Sequence, residues 1–281
     1  MNFPNPIDGR AVWTAADMAA DKKWIYTLDA LECSEIAKAT ESIKSGSRLL
    51  NTIGRKDFPL PRLSAALDQL NKELHTGRGC VLIRGLPVDD YDDISSQIAY
   101  WGIATHFGEP ISQNSKGQHL AAVTDHGNDI SLGNTRGYTT SAALHPHSDM
   151  CQMTGLLCIR PAAQGGESQV ASSLAIYNFI RKTKPEYLET LFRGFHHDLR
   201  GEGPKASIDE VTNHRVPVFS ECDGWLSCGF NPKICINGEK KRGTPVSTKE
   251  VEALEYVSEV ASRPDLSYEL VLQPGDIQFV N

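Results

Sequence analysis

The sequence lacks both a long apolar run and an excess of positive charge. No apolar stretch approaches the roughly 20 residues of a transmembrane helix, so we expect no membrane span. Acidic residues outnumber basic ones by 35 to 28, for a net charge of −7. This balance argues against binding to nucleic acids or anionic membranes, because both are polyanions. No basic segment followed by an apolar one occurs at the N-terminus, and we expect a cytoplasmic protein.

Other sequence signals are also missing. The seven cysteines include no CxxC pair and most lie in apolar runs, which favours buried free thiols in a reducing compartment. No GxGxxG motif follows a candidate strand, so a dinucleotide-binding fold has little support. No internal repeat, low-complexity tract or Gly/Ser linker divides the chain, and we expect a single domain over residues 1–281.

The first part of the chain, to about residue 110, is predicted to be mainly helical. Apolar residues recur at helical spacing in "LDALECSEIAKATESIKS" (28–45), and "PRLSAALDQLNKELHTG" ends in a glycine stop at Gly77. A further helix is predicted for "YDDISSQIAYWGIATHFG". The segment "GCVLIRGLP" (79–87) is a short apolar run closed by glycine and proline, which predicts a buried strand.

The second part, about residues 111–281, is predicted to be mainly β. Short β-type runs follow a loop-like segment, and the amphipathic helices "LAIYNFIRKTKPEYLETLF" and "VSTKEVEALEYVSEVAS" interrupt them. Many short strands separated by turn signals indicate a barrel or jelly roll rather than a doubly wound sheet. The segment "NGEKKRG" (237–243) is predicted to be a charged turn.

The segment "LHPHSDM" (144–150) places His145, His147 and Asp149 at alternate positions. In a β-strand these side chains would share one face, and such a polar row is costly to bury without partners or a metal ion. The pattern has three interpretations. His145 and His147 resemble the paired histidines of a cupin, His147 and Asp149 fit two positions of a two-histidine, one-carboxylate iron site, and a hydrogen-bonded structural strand is the third.

An ordered set of motifs surrounds this segment. "GRGCVLIRGLPVDD", "HFGEP", "HSD", "PAAQGGES", "CGFNP" and "LQPGD" follow one another along most of the chain. In their order and spacing they resemble the taurine dioxygenase-like (TauD/TfdA) family of Fe(II)- and 2-oxoglutarate-dependent dioxygenases. The resemblance begins at "GCVLIRGLP" and continues to the end of the sequence.

The resemblance implies roles for individual residues. His147 and Asp149 match the first two iron ligands. Ser168 in "GGES" matches a threonine-type position whose hydroxyl helps to hold the carboxylate of 2-oxoglutarate. His145 is not a ligand in this family, and it is a candidate for orienting Asp149 or lining the substrate cavity. The implied cofactors are Fe(II), the cosubstrate 2-oxoglutarate and O2.

The resemblance also implies groups that these 281 residues do not supply. A third iron ligand, a histidine, is expected beyond Asn281, together with an arginine for the distal carboxylate of 2-oxoglutarate and the closing strands. Either a truncated chain or a natural variant without catalysis would explain this. His126 and the pair His196 and His197 are other candidates for the third ligand, and the sequence gives no reason to prefer either.

We therefore expect an α+β, mainly β fold, a double-stranded β-helix (jelly roll) with flanking helices and without its final strands. The expected function is Fe(II)- and 2-oxoglutarate-dependent oxidation, in the form of hydroxylation, of a small organic substrate. Two alternatives remain open: a catalytically inactive truncated jelly-roll protein, and a cupin-type metalloenzyme that uses His145 and His147. The substrate and the oligomeric state are not evident from the sequence, and no nucleic-acid or membrane partner is expected.

Overall fold

The computed structural model describes residues 3–114, 116–127 and 137–281. The chain forms two compact units. The first, which we call the sheet unit, comprises residues 8–111, 151–172 and 267–281. The second, the helical unit, comprises residues 3–7, 112–150 and 173–266, apart from the gaps in the described ranges. The single domain expected from the sequence stays a prediction.

The sheet unit contains four α-helices among its described residues, three of which the sequence predicts. They are α1 (Ala15–Ala20), α2 (Ala30–Ser45), α3 (Ser64–Thr76) and α4 (Asp93–Ala104). Helix α2 begins where the sequence predicts, because the Glu32 amide donates a hydrogen bond to the Asp29 side chain and the Asp29 amide donates one to the Glu32 carboxylate. Gly77 follows the last residue of α3. The predictions for α2, α3 and α4 are confirmed, within the usual uncertainty of helix ends, and α1 was not predicted.

The strands of the sheet unit form two sheets. The strands are β1 (Ile25–Thr27), β2 (Cys80–Arg84), β3 (Thr154–Leu157), β4 (Ser168–Ala171), β7 (Ser267–Leu270) and β8 (Ile277–Val280). Four of them pair in the order β1-β2-β8-β3, with β1 parallel to β2 and β8 antiparallel to both neighbours. The other two, β4 and β7, form an antiparallel pair. Strand β2 is the buried strand predicted from "GCVLIRGLP".

The two faces of the four-stranded sheet are covered by different elements of the sheet unit. On one face Phe279 stacks on Phe107 and Tyr100, with ring centroids 4.3 and 6.4 Å away. The other face carries Leu82 and Val280 and packs against apolar side chains of β4 and β7. This burial of apolar surface on both sides of β8 stabilises the unit. The α+β class is confirmed. Helices contain more of the described residues than strands do, so the expectation of a mainly β fold is wrong, and the double-stranded β-helix stays a prediction.

The helical unit contains a β-hairpin and four helices among its described residues. These are α5 (Ser173–Thr183), α6 (Leu188–Arg193), β5 (Phe219–Cys222), β6 (Trp225–Cys228), α7 (Pro232–Lys241) and α8 (Thr248–Ala261). The helix predicted from "LAIYNFIRKTKPEYLETLF" is in fact divided into α5 and α6. Pro185 causes the break, because proline disfavours helical backbone at the preceding Lys184.

Helix α7 corrects another prediction, the charged turn at 237–243. Asn231 caps this helix by accepting a hydrogen bond from the Ile234 amide, and Pro232 occupies the first helical position. Gly238 lies inside this helix. The position requires glycine, because a Cβ there would come 2.0 Å from the carbonyl oxygen of His196. In the sequence, a glycine required for close approach has the same appearance as a glycine in a turn.

All seven cysteines are free thiols, as predicted. Cys80 and Cys235 are buried, and burial raises the pKa of each to about 12. Cys222 is exposed, so the prediction of burial is wrong for this residue. Within the described ranges, the structure has no helix of the length and apolar character needed to cross a membrane.

Candidate metal centre

The segment 144–150 is irregular, and its seven residues do not form the strand that the alternation predicts. Pro146 has no backbone N–H to donate to a neighbouring strand. The N–H of Ser148 donates instead to the carbonyl of Phe230, with an N–O distance of 2.7 Å.

His147 and Asp149 approach each other. The Nε2 atom of His147 lies 4.0 Å from an Oδ atom of Asp149, and the two side chains are 34% and 52% exposed. A metal ion could therefore enter from solvent. The structure brings together the two residues that the resemblance assigns as iron ligands.

His145 contributes its backbone to this pair. The Nδ1 atom of His147 lies 2.8 Å from the carbonyl oxygen of His145. Because a carbonyl can only accept, Nδ1 is the donor in this contact, which leaves Nε2 as the ring nitrogen available to a metal ion. Metal-binding histidines in proteins are commonly fixed in this way. The His145 ring, which is exposed, has no such role in the described contacts.

Ser148, between the two candidate ligands, ties the segment to the start of α7. The Ser148 N–H donates a hydrogen bond to the carbonyl of Phe230, and the Phe230 N–H donates one to Ser148 Oγ, at 2.7 Å. Phe230 is buried and immediately precedes Asn231, the cap of α7. These two reciprocal hydrogen bonds anchor the backbone between His147 and Asp149 to the residue that precedes the cap of α7.

The donor set fits two ligands of a divalent transition-metal ion. Bonds to imidazole nitrogen and carboxylate oxygen are about 2.1 Å long in zinc sites, so two ligand atoms of one such ion lie at most about 4.2 Å apart, and about 3 Å apart at a right angle. The observed distance of 4.0 Å falls within this range. A side-chain rotation of either exposed group would reduce the angle that the two ligand atoms make at the ion. Among the described residues no group of three or more His, Cys, Asp or Glu side chains forms a metal site.

The other histidines proposed as third ligands have different surroundings. His196 Nδ1 lies 3.1 Å from a carboxylate oxygen of the buried Glu239. His197 Nε2 lies 3.5 Å from the thiol of Cys235. Burial lowers the pKa of His197. His126 is exposed in an irregular segment. Among the described contacts, none joins one of these three histidines to His147.

Ser168 is the first residue of β4, in the sheet unit. Its hydroxyl donates to the side-chain amide oxygen of Gln278 on β8, at 2.9 Å. This bond does not test the part that Ser168 would take in binding 2-oxoglutarate, which stays a prediction. Sequence reasoning missed both Gln278 and the Ser148–Phe230 pair, because each partner is far away along the chain and has no local pattern that marks it.

Comparisons with known proteins agree on one family. The family described as "Taurine catabolism dioxygenase TauD, TfdA family" matches residues 45–281. FR-33289 synthase of Streptomyces rubellomurinus is 33% identical over 278 residues, which cover 98% of this chain and 81% of that protein. The taurine hydroxylase-like protein SAT17 of Stachybotrys chartarum is 25% identical over 286 residues, covering 98% of this chain and 72% of that protein.

Solved structures of non-haem iron oxygenases share the fold. Asparagine oxygenase in complex with Fe(II), (2S,3S)-3-hydroxyasparagine and succinate superposes with a TM-score of 0.67 at 15% identity, covering 92% of this chain and 85% of that one. The oxygenase OrfP in complex with Fe and alpha-ketoglutaric acid gives a TM-score of 0.60 at 18% identity, covering 91% and 84%.

Proposed function

Because the chain belongs to the TauD/TfdA dioxygenase family, whose cofactors are Fe(II), 2-oxoglutarate and O2, we propose that it hydroxylates a small organic substrate. In this proposal His147 and Asp149 are two of the iron ligands and Ser168 takes part in binding 2-oxoglutarate. The observation that carries the proposal is the approach of His147 Nε2 to Asp149 with Nδ1 held by a carbonyl. A third histidine beyond Asn281 stays a prediction.

The bound iron would couple the oxidative decarboxylation of 2-oxoglutarate, to succinate and CO2, to insertion of the second oxygen atom of O2 into a C–H bond. The chain's own groups prepare this chemistry. The carbonyl of His145 accepts a hydrogen bond from Nδ1 of His147, which leaves Nε2 as the nitrogen that would bind the ion. Asp149 supplies one negative charge toward the divalent ion. Ser148 fixes the backbone between them, which preorganises the pair.

The similar proteins support a small-molecule substrate. SAT17 is described as taurine hydroxylase-like, asparagine oxygenase is seen with 3-hydroxyasparagine and succinate, and OrfP with (3S)-hydroxy-L-Arg. Hydroxylation of a compound of this size is the reaction we propose for the chain.

The test is an anaerobic titration of the full-length gene product with Fe(II) in the presence of 2-oxoglutarate. Formation of the weak visible charge-transfer band of the chelate reports the site. We expect the band in the wild type and its loss in His147→Ala and Asp149→Ala, since each removes a ligand. His126→Ala, a histidine in an exposed segment, is the matched control and should retain the band.

The alternatives predict different results in the same titration. A cupin-type site would lose its metal in His145→Ala, whereas the proposed site should retain it, because alanine keeps the backbone carbonyl that His147 uses. An inactive protein would give no band in the wild type, and that outcome would refute the proposed function.

A further inference from the structure

Residues 3–7, which we call the docking segment, lie against helices α5 and α6 of the helical unit. The hydroxyl of Tyr177 on α5 donates a hydrogen bond to the carbonyl oxygen of Pro4, at 2.6 Å. Asn178 binds Ile7 twice, because its side-chain oxygen accepts from the Ile7 N–H and its side-chain nitrogen donates to the Ile7 carbonyl, both at 2.8 Å. The main chain of the segment is thus held at two points.

An aromatic contact holds the other end of the docking segment. The Phe3 ring packs on the ring of Phe192 on α6, with centroids 5.2 Å apart. Phe192 in turn contacts Tyr177 and Phe219, at centroid distances of 6.2 and 6.3 Å. Tyr177 and Phe219 are completely buried, so a fixed aromatic cluster supports the ring that Phe3 contacts. We call Tyr177, Asn178 and Phe192 the docking surface.

The docking surface binds the segment in the way that proteins bind extended peptides. The three hydrogen bonds go to main-chain atoms of the segment, as they do when a peptide strand is added to the edge of a sheet. The side-chain amide of Asn178 takes the place of a neighbouring strand residue, since it both accepts from and donates to Ile7. The ring of Phe3 supplies an apolar anchor.

The docking segment is stiff before it binds. Pro4 and Pro6 fix their own φ angles at about −65°, and each disfavours helical backbone in the residue before it. A ligand that is already restrained loses less conformational entropy when it is bound. A segment of this length can therefore bind as a unit, although it forms no helix or strand.

The residues that follow the docking segment have the properties of a hinge. The segment ends at Ile7 in the helical unit, and Asp8 is the first residue of the sheet unit. Asp8 and Gly9 are exposed. Gly9 has a φ of +113°, and a Cβ at this position would meet no atom within 4 Å. A rotation about Gly9 therefore releases the segment without a loss of packing at the glycine itself.

We propose that the docking segment is exchanged between two copies of the chain, so that the docking surface of each copy binds residues 3–7 of the other. A second copy is the partner that fits, because it carries the same segment and makes the contacts that are seen within one chain. Reciprocal exchange gives a closed, symmetric dimer. Since the same bonds are lost and regained, the hinge and the protein concentration decide between monomer and dimer.

The first test mixes two variants, neither of which can exchange segments with itself. Asn178→Leu retains the docking segment and loses the two hydrogen bonds to Ile7. The double variant Phe3→Ala with Ile7→Pro retains the docking surface, and its segment lacks the aromatic anchor and the N–H from which Asn178 accepts. Native mass spectrometry should detect a complex of one copy of each variant in the mixture, and monomers when either variant is alone.

The second test changes the hinge. Proline cannot adopt the φ of Gly9, so Gly9→Pro should open the hinge and raise the ratio of dimer to monomer by roughly tenfold or more at a fixed protein concentration. Light scattering after size-exclusion chromatography measures the ratio. Asn5→Ala is the matched control, because Asn5 is an exposed residue of the segment, and it should leave the ratio unchanged. Thermal unfolding checks that each variant is folded.

Two results of the mixing experiment would refute the exchange. Monomers alone in the mixture would show that the segment binds only within its own chain. A complex that persists when Asn178→Leu also carries Phe3→Ala and Ile7→Pro would show that the copies associate through another surface. Neither result bears on iron or 2-oxoglutarate, so the proposed function stands or falls separately.

Discussion

Ser148 lies between the two proposed metal ligands and anchors the backbone that joins them. Its amide and hydroxyl both bond to Phe230, and the two proposed ligands are its immediate neighbours in the chain. A residue that fixes the backbone of metal ligands controls how well they are preorganised for the ion.

We predict that Ser148→Ala weakens Fe(II) binding by roughly tenfold to a hundredfold, the range typical of groups that orient metal ligands. The substitution leaves the Phe230 amide without its acceptor, and the backbone between the ligands is less constrained. Anaerobic Fe(II) titration measures the effect. Ser148→Thr, which retains the hydroxyl, should restore most of the affinity. Ser227→Ala, in the exposed β5–β6 hairpin, is the control. An affinity for Fe(II) unchanged by Ser148→Ala would contradict the role.

At the residue scale, the sequence was informative where chemistry is local. His147 and Asp149 are two residues apart, and Ser168 comes two residues after a pair of glycines, so short motifs could identify all three. The hydrogen bond from Ser168 to Gln278 could not be found in this way, because the two residues are more than one hundred positions apart in the chain.

At the element scale, the ion pair of Arg84 and Asp276 connects the end of β2 to the turn before β8. Asp276 is completely buried, and both of its oxygens accept hydrogen bonds from the guanidinium. A paired buried carboxylate is tolerated, whereas one that has lost its partner is costly.

We predict that Arg84→Met lowers the free energy of unfolding by about 3 kcal/mol, because it leaves the Asp276 carboxylate buried without its cation. The double variant Arg84→Met with Asp276→Leu should recover much of this loss. Urea unfolding measures both values. A double variant that is as unstable as the single one would show that the arginine acts through packing rather than through the charge of Asp276.

The helices of the helical unit show why some helix boundaries were not predicted. The break between α5 and α6 depends on Pro185 inside an otherwise continuous amphipathic pattern. Helix α7 was taken for a turn because Gly238 and a run of charges obscured its helical pattern, while the reason for the glycine is a contact with His196. Such contacts between distant segments are not encoded in local periodicity.

At the scale of the whole molecule, each compact unit contains a buried histidine that favours its neutral form. Burial lowers the pKa of His106 in the sheet unit and of His197 in the helical unit. In the unfolded chain both would take up protons near pH 6.5. Below that pH the unfolded state therefore binds more protons than the folded state, so stability is lost as the pH falls toward the folded pKa values.

We predict a smaller free energy of unfolding at pH 5 than at pH 7.5, measured by urea unfolding at both. His197→Gln, which does not titrate, should make the difference between the two pH values smaller. Lys240→Ala, an exposed change on α7, should leave the difference unaltered. A difference that is the same in His197→Gln and the wild type would mean that His197 is not a source of the pH dependence.

The sequence predicted the α+β class and the family, because both depend on patterns that recur in order along the chain. It did not predict the strand order β1-β2-β8-β3. Strand β8 pairs with β2 and β3 through backbone groups that are the same in every residue, so its four side chains carry little information about its partners.

The central position of β8 has a consequence for synthesis on the ribosome. Cys80 pairs with Val280, so β2 leaves the exit tunnel long before its partner is made. At translation rates of roughly 5–20 residues per second, one edge of β2 waits for about ten to forty seconds. Until then β1 is the strand that pairs with β2. A nascent chain with an apolar, unpaired strand edge is a substrate for chaperones and is prone to aggregate, so the yield of folded protein depends on when β8 arrives.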